Sequence, residues 1–219
     1  MTLMIKTTPV SYAPLTPSMG ELNGMQVALR FDSENIEAAR KSVLGVTDVS
    51  CFQRFSIKGP QAASWLSAQG LALPPENNSW TQAAPDTLVL RLGGSEYLVE
   101  DQYHGALCQR LRTFDQAATP GAYHVQRGDA AFVLSGSKVL DLLSELCMLD
   151  LRDSAMPANT VLMTQLAGIS ATLLRQQLNG ETVFRIWCDG SYGPYLWGML
   201  LEIAQELGGG AVGLSCHYQ

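Results

Sequence analysis

Thirteen residues of this chain occur twice. Phe55-Ser56-Ile57-Lys58-Gly59-Pro60-Gln61-Ala62-Ala63-Ser64-Trp65-Leu66-Ser67 aligns without a gap on Phe132-Val133-Leu134-Ser135-Gly136-Ser137-Lys138-Val139-Leu140-Asp141-Leu142-Leu143-Ser144, and Phe, Gly, Leu and Ser recur at matching places. Composition alone would supply roughly one identity over that length. Each copy reads as a short apolar strand, a glycine that lets the chain turn sharply, and a helix starting beside Pro60 or Ser137. After each copy come an apolar run, a glycine-bearing turn, a second apolar run and a helix, over Thr87 to Thr113 and again over Ser170 to Leu207. This repetition constrains the chain to an α+β fold of two duplicated β-α-β-β-α lobes related by a pseudo-twofold axis. The expected division is an N-terminal arm and short helix over 1–45, a first lobe over 46–118 and a second over 122–219. Pro120 marks the connection.

Local signals fill in the two lobes. Pro9, Pro14 and Pro17 among Thr and Ser predict an extended arm. Ser33 to Lys41 predicts a helix capped by Ser33, with acids in its first turn and bases in its last, ending near Gly45. Phe55 and Ile57 alternate with Ser56 and Lys58, which predicts one buried and one wet face. Helices are expected over Pro60 to Ala68 and Tyr103 to Thr113, with a loop over Leu73 to Asn78. Gly93-Gly94 turns one hairpin. Asn179-Gly180 turns a second, between Ser170–Arg175 and Thr182–Cys188, and is the strongest short turn signal in the sequence. Val139, Leu142, Leu143 and Leu146 form one helical stripe, and Leu196, Leu200, Ile203 and Leu207 another. Gly208-Gly209-Gly210 stops the last helix, and the tail from Ala211 is a short strand or a loose end.

Charge and motif inventory narrow the function. A net charge of −6 leaves no basic field for nucleic acid or for an anionic membrane. No apolar run is long enough to span a bilayer and no leader pattern opens the chain, so a cytoplasmic protein is expected. Cys51, Cys108, Cys147, Cys188 and Cys216 are scattered, without a C-x-x-C pair, and His104, His124 and His217 lack metal-ligand spacing. No Gly-x-Ser-x-Gly elbow appears, and neither glycine cluster follows a strand and opens a helix as a phosphate cradle would. Asp48 and Glu181 stand out as acids beside apolar strands, where a bland turn or capping role is the competing reading. Tyr192, Tyr195 and Trp197 form either a contact surface or part of a core.

These residues resemble a known family. Asp48-Val49-Ser50, the strand ending Lys58-Gly59-Pro60-Gln61-Ala62-Ala63, and Leu88 to Glu100 are similar to the opening of the aminomethyltransferase (glycine-cleavage T-protein, GcvT/TrmE-type folate-binding) fold. Arg175-Gln176-Gln177-Leu178-Asn179-Gly180-Glu181 sits where that family carries Arg-Thr-Gly-Tyr-Thr-Gly-Glu. Arg175, Gly180 and Glu181 match, and Leu178 replaces the tyrosine. The family's catalytic aspartate belongs to the region held here by Ala72-Leu73-Pro74-Pro75-Glu76-Asn77-Asn78, which lacks it. Glu76, in a Pro-Pro-Glu loop, is a poor substitute because the prolines fix a different trajectory. Leu71-Ala72-Leu73-Pro74, Tyr97-Leu98 and Ser191-Tyr192-Gly193-Pro194-Tyr195-Leu196-Trp197 resemble the gamma subunit of heterotetrameric sarcosine oxidase.

That resemblance implies an accessory, non-catalytic subunit. Oxidative demethylation of sarcosine, with one-carbon transfer to tetrahydrofolate, would be carried by alpha, beta and delta partner subunits holding flavin and NAD. This chain would contribute packing surface, carry no catalytic residue and hold no cofactor of its own, with tetrahydrofolate the one ligand the fold leaves open. A vestigial folate site would comprise Glu181, accepting from the pterin, Tyr97, stacking on it, and Asp48. The alternative is a free-standing folate-binding or aminomethyltransferase-like protein. A further alternative is a soluble α+β protein sharing only the topology.

Overall fold

The computed structural model describes residues 6–218. The chain divides into two compact units. One comprises residues 6–51, 128–158 and 162–218, and the other residues 52–127 with 159–161.

In the first unit, β1 (Lys6–Thr7), β2 (Ser18–Leu22) and β3 (Met25–Arg30) form a small sheet in the order β1-β3-β2. This corrects the extended arm expected there, whose first five residues lie outside the described residues. The cause is Asn23-Gly24, with φ of 56° and 74°. Two successive left-handed residues make the tight turn that pairs β2 with β3 and lets Val27 and Ala28 be buried. Helix α1 (Glu34–Leu44) follows. Ser33 is its N-cap by position, but its side chain makes no capping bond.

The unit's main sheet has the order β11-β12-β13-β10-β4-β14. Its strands are β4 (Gly45–Asp48), β10 (Ala130–Ser135), β11 (Val161–Leu166), β12 (Ile169–Leu178), β13 (Glu181–Cys188) and β14 (Gly210–Ala211). Asn179 and Gly180, at φ 52° and 82°, make the β12–β13 hairpin that Asn-Gly predicts. Helices α4 (Val139–Leu146) and α5 (Gly193–Glu206) bury Val139, Leu142 and Leu143, and Leu196, Leu200 and Ile203, in one cluster with Phe132, Leu134 and Ile186. The tail is seated: β14 runs parallel to β4, and a short 3₁₀ turn at Leu214–Cys216 follows.

The second unit holds β5 (Gln53–Lys58), α2 (Ala62–Ala68), β6 (Ser79–Ala84), β7 (Thr87–Gly93), β8 (Glu96–Asp101), α3 (Leu107–Leu111) and β9 (Tyr123–Val125). Its sheet runs β6-β7-β8-β5-β9. Phe55, Ile57, Ala62, Leu66, Tyr97 and Leu111 share its core. Ser56 is buried too, donating to the Tyr97 carbonyl at 2.9 Å, so the wet face expected of this strand is wet only at Lys58. Helix α3 is shorter than expected because residues 103–106 turn, leaving Asp101 to accept from the Cys108 amide at 2.5 Å.

The units share one topology, with one strand more than the β-α-β-β-α repeat: β-α-β-β-β-α, as β5-α2-β6-β7-β8-α3 and as β10-α4-β11-β12-β13-α5; in the second copy that strand, β11, is the one the sequence predicts over Thr160 to Leu166 after Pro157. Phe55 and Phe132 are each the third residue of their strand. Gly59 and Gly136 have φ of +115° and +107°, and Leu66 and Leu143 are both buried. The fifth strand of each sheet is exchanged. β4, which precedes the first repeat, pairs with β10, and β9, which precedes the second, pairs with β5. No described helix is long and apolar enough to cross a membrane.

Candidate functional site

Asp48 ends β4 and is 5% exposed. Its carboxylate accepts from Thr8 Oγ1 at 2.6 Å, Tyr12 Oη at 2.7 Å, the Ser50 amide at 2.9 Å and Ser50 Oγ at 2.5 Å. Four donors occupy its lone pairs. Burial, followed by the neighbouring Asp48 charge, raises the Tyr12 pKa, so the phenol remains a donor. This arrangement locks residues 8–12 onto the main sheet and leaves the Asp48 carboxylate no open lone pair for a ligand.

Glu181 opens β13 directly after the Asn179-Gly180 turn. Its Oε2 lies 3.0 Å from Lys41 Nζ, which also donates to the Cys216 carbonyl at 3.5 Å. Asn179 Nδ2 donates to the His217 carbonyl at 3.1 Å, so the turn that aims Glu181 is fastened to the C-terminal segment. A cleft of about 240 Å³ surrounds the pair, with Arg30, Glu34, Glu37 and Cys216 among its walls. Arg30 Nη1 is 3.4 Å from Glu34 Oε2. Glu37 is 1% exposed and accepts from the Phe31 amide at 2.6 Å and the Gly213 amide at 3.1 Å. Sequence reasoning alone does not single out Glu37. The signal that could have found it is its position seven residues before the buried Leu44, on the inner stripe of α1.

Asp48 and Glu181 do not meet. Asp48 is opposite Phe132, and Phe132 is opposite Ile186, five residues along β13 from Glu181. At roughly 3.3 Å per residue that is about 16 Å along the strand. Tyr97 belongs to the other sheet and is 2% exposed, its ring within the core formed by Phe55, Ile57 and Leu66. The Arg91 guanidinium lies 5.8 Å from the Tyr97 ring centroid. Glu76 is exposed, and only its carbonyl has a defined role, accepting from Ser79 Oγ at 2.6 Å.

Three other titratable groups, His217, Cys188 and Cys108, are buried. His217 is buried with Nε2 3.4 Å from Ser135 Oγ, and burial, then the Lys41 and Arg185 charges, lowers its pKa to about 3. Burial likewise raises the Cys188 thiol to about 12 and the Cys108 thiol further. Neither is a thiolate at neutral pH. Among the described residues no three His, Cys, Asp or Glu side chains gather as a metal site would require. Tyr192 and Tyr195 are half-exposed, whereas Trp197 is buried and packs on Tyr12, Phe31 and Phe132. The aromatic cluster is thus divided between surface and core.

The profile of the GCVT N-terminal domain matches residues 78–218. The chain belongs to this family. A glycine cleavage system aminomethyltransferase T from Bartonella henselae superposes with a TM-score of 0.75 at 15% identity, over 97% of this chain and 61% of that one. The chain therefore spans less than two thirds of that aminomethyltransferase. A heterotetrameric sarcosine oxidase from Corynebacterium sp. U-96, in complex with pyrrole 2-carboxylate, matches with a TM-score of 0.64 at 23% identity, over 79% of this chain and 91% of that one. No curated protein sequence matches significantly. At these identities the likeness is one of fold: this GCVT-family chain has the mixed α+β fold of the aminomethyltransferase folate-binding domain.

Proposed function

We propose that this chain is a non-catalytic, gamma-type subunit of a sarcosine oxidase-type complex. Flavin, NAD and the one-carbon chemistry reside on alpha, beta and delta partners, and its own role is to supply packing surface. The observation that carries this reading is the commitment of each candidate folate residue elsewhere: Asp48 is saturated by four donors, Glu181 is paired with Lys41, and Tyr97 is buried in a core. A pterin needs open hydrogen-bonding partners and a free ring face to stack on. These residues do not fit it, and binding that must first break the Lys41–Glu181 pair forfeits that interaction. The sarcosine oxidase likeness supports the same reading, because it extends over 91% of the matched chain.

A free-standing folate-binding protein is the second reading. The aminomethyltransferase match favours it, covering 97% of this chain at the higher TM-score, as does the half-exposed Glu181 carboxylate in its cleft. Titration of the isolated chain with tetrahydrofolate separates the two. Weak or absent binding that Glu181→Gln barely changes fits the accessory subunit. Tight binding by the parent that Glu181→Gln abolishes overturns it in favour of the folate reading.

A further inference from the structure

Three carboxylates line the cleft of about 240 Å³ in the first unit, and each is already engaged. Glu37 is buried on the Phe31 and Gly213 amides, the exposed Glu34 faces Arg30, and Glu181 faces Lys41. Releasing Glu37 would orphan two main-chain donors, and the exposed Arg30–Glu34 pair contributes little either way. Lys41 differs from both. Its side chain is 18% exposed against 54% for Glu181, so the lysine is the deeper-set partner. Its ammonium reaches Glu181 Oε2 at 3.0 Å and the Cys216 carbonyl at 3.5 Å. Its main chain is held as well, because the β10–α4 turn approaches it so closely that a Cβ on Gly136 would lie 2.6 Å from the Lys41 carbonyl oxygen.

A carboxylate on a cleft wall accepts from whichever N–H donors the cleft admits, and here the chain supplies those donors itself. A ligand with two adjacent N–H groups on one flat edge, as the aminopyrimidinone edge of a pterin has, would engage both carboxylate oxygens. It cannot do so while the ammonium stands between them and the cleft. Space points the same way: the cleft of about 240 Å³ falls short of the roughly 300–1,000 Å³ usual for ligand pockets, and the four-carbon stem of Lys41 is one of its walls.

We propose that Lys41 is an internal occupant of this cleft, holding the donor position at Glu181 and so determining that the chain excludes a ligand of the pterin type. The inference rests on the accessory-subunit reading and names the residue that enforces it.

The test titrates the full chain with tetrahydropterin, the ring system of tetrahydrofolate without its anionic tail, so that the loss of a lysine charge is not itself what the titration reads. Lys41→Met should bind about fivefold more tightly than the parent, the equivalent of one half-exposed ion pair. Lys41→Gln, which keeps a donor for the Cys216 carbonyl, guards against misfolding of the first variant and should gain likewise. Adding Glu181→Gln to either variant should remove the gain. Folded variants that bind no better than the parent, or whose gain survives Glu181→Gln, overturn the role of Lys41 and leave the accessory-subunit reading standing. A parent that already binds tightly through Glu181 overturns both.

Discussion

Gly59 and Gly136 are where the duplicated unit is most sensitive to one methyl group. Both are held at positive φ, +115° and +107°, a region that costs a residue with a Cβ about 1–3 kcal/mol. At Gly59 an added Cβ would fall on the Gly121 carbonyl oxygen. At Gly136 it would lie 2.5 Å from the Val43 carbonyl oxygen and 2.6 Å from that of Lys41. These neighbours are main chain and cannot rotate away, so overlap adds about 1–3 kcal/mol more. Gly59→Ala and Gly136→Ala should therefore each destabilise by roughly 2–6 kcal/mol. Gly70 is the control: its φ is +83°, but nothing lies within 4 Å of the place an added Cβ would take. Gly70→Ala should cost only the backbone contribution, about 1–3 kcal/mol. With a urea slope of about 1–3 kcal/mol per molar, the extra 1–3 kcal/mol should place the first two midpoints roughly 0.3–3 M below the control's. Should Gly136→Ala unfold at the same urea concentration as Gly70→Ala, the close approach of the β10–α4 turn to α1 would be refuted.

Leu143→Ala removes a fully buried side chain from the α4 stripe and should cost about 2–5 kcal/mol in urea unfolding; an unchanged midpoint would put that stripe at the surface. His217 makes stability depend on pH. Its folded pKa is about 3 against 6.5 as the reference, so the unfolded chain binds the extra proton between those values. Its contribution is complete above pH 6.5 and is lost as pH falls toward 3, by at most about 1.4 kcal/mol per unit. Thermal midpoints of the parent and His217→Gln, compared from neutral pH down into the acid range, should show a steeper acid loss in the parent, and parallel curves would contradict it.

Much of the fold is legible because its signals are local. Asn179-Gly180 dictates its hairpin through two left-handed residues, and the Val139-Leu142-Leu143 stripe dictates which side of α4 is buried. The same Asn-Gly chemistry stands at Asn23-Gly24, yet the prolines before it are the louder local signal and point to an arm. Strand β6 carries no such signal because it is an edge: of Ser79 to Ala84 only Trp80 is buried, leaving no alternation to detect. The exchange of β4 and β9 between sheets has no local signature, since it is decided by pairing across more than sixty residues of sequence. At the site, sequence spacing locates Asp48 and Glu181 beside strands. It holds no trace of Lys41, 140 residues away from Glu181, or of the donors from residues 8 and 12 that saturate Asp48. Such partners are set by tertiary contact alone.

The most direct measurement of the accessory-subunit account is size-exclusion of the chain from its native source, with each fraction assayed for sarcosine oxidation and for aminomethyl transfer to tetrahydrofolate. The account predicts that the chain elutes with a sarcosine-oxidising flavoprotein, and that the chain isolated from it performs neither reaction. Elution as a single free chain that transfers an aminomethyl group to tetrahydrofolate would contradict it.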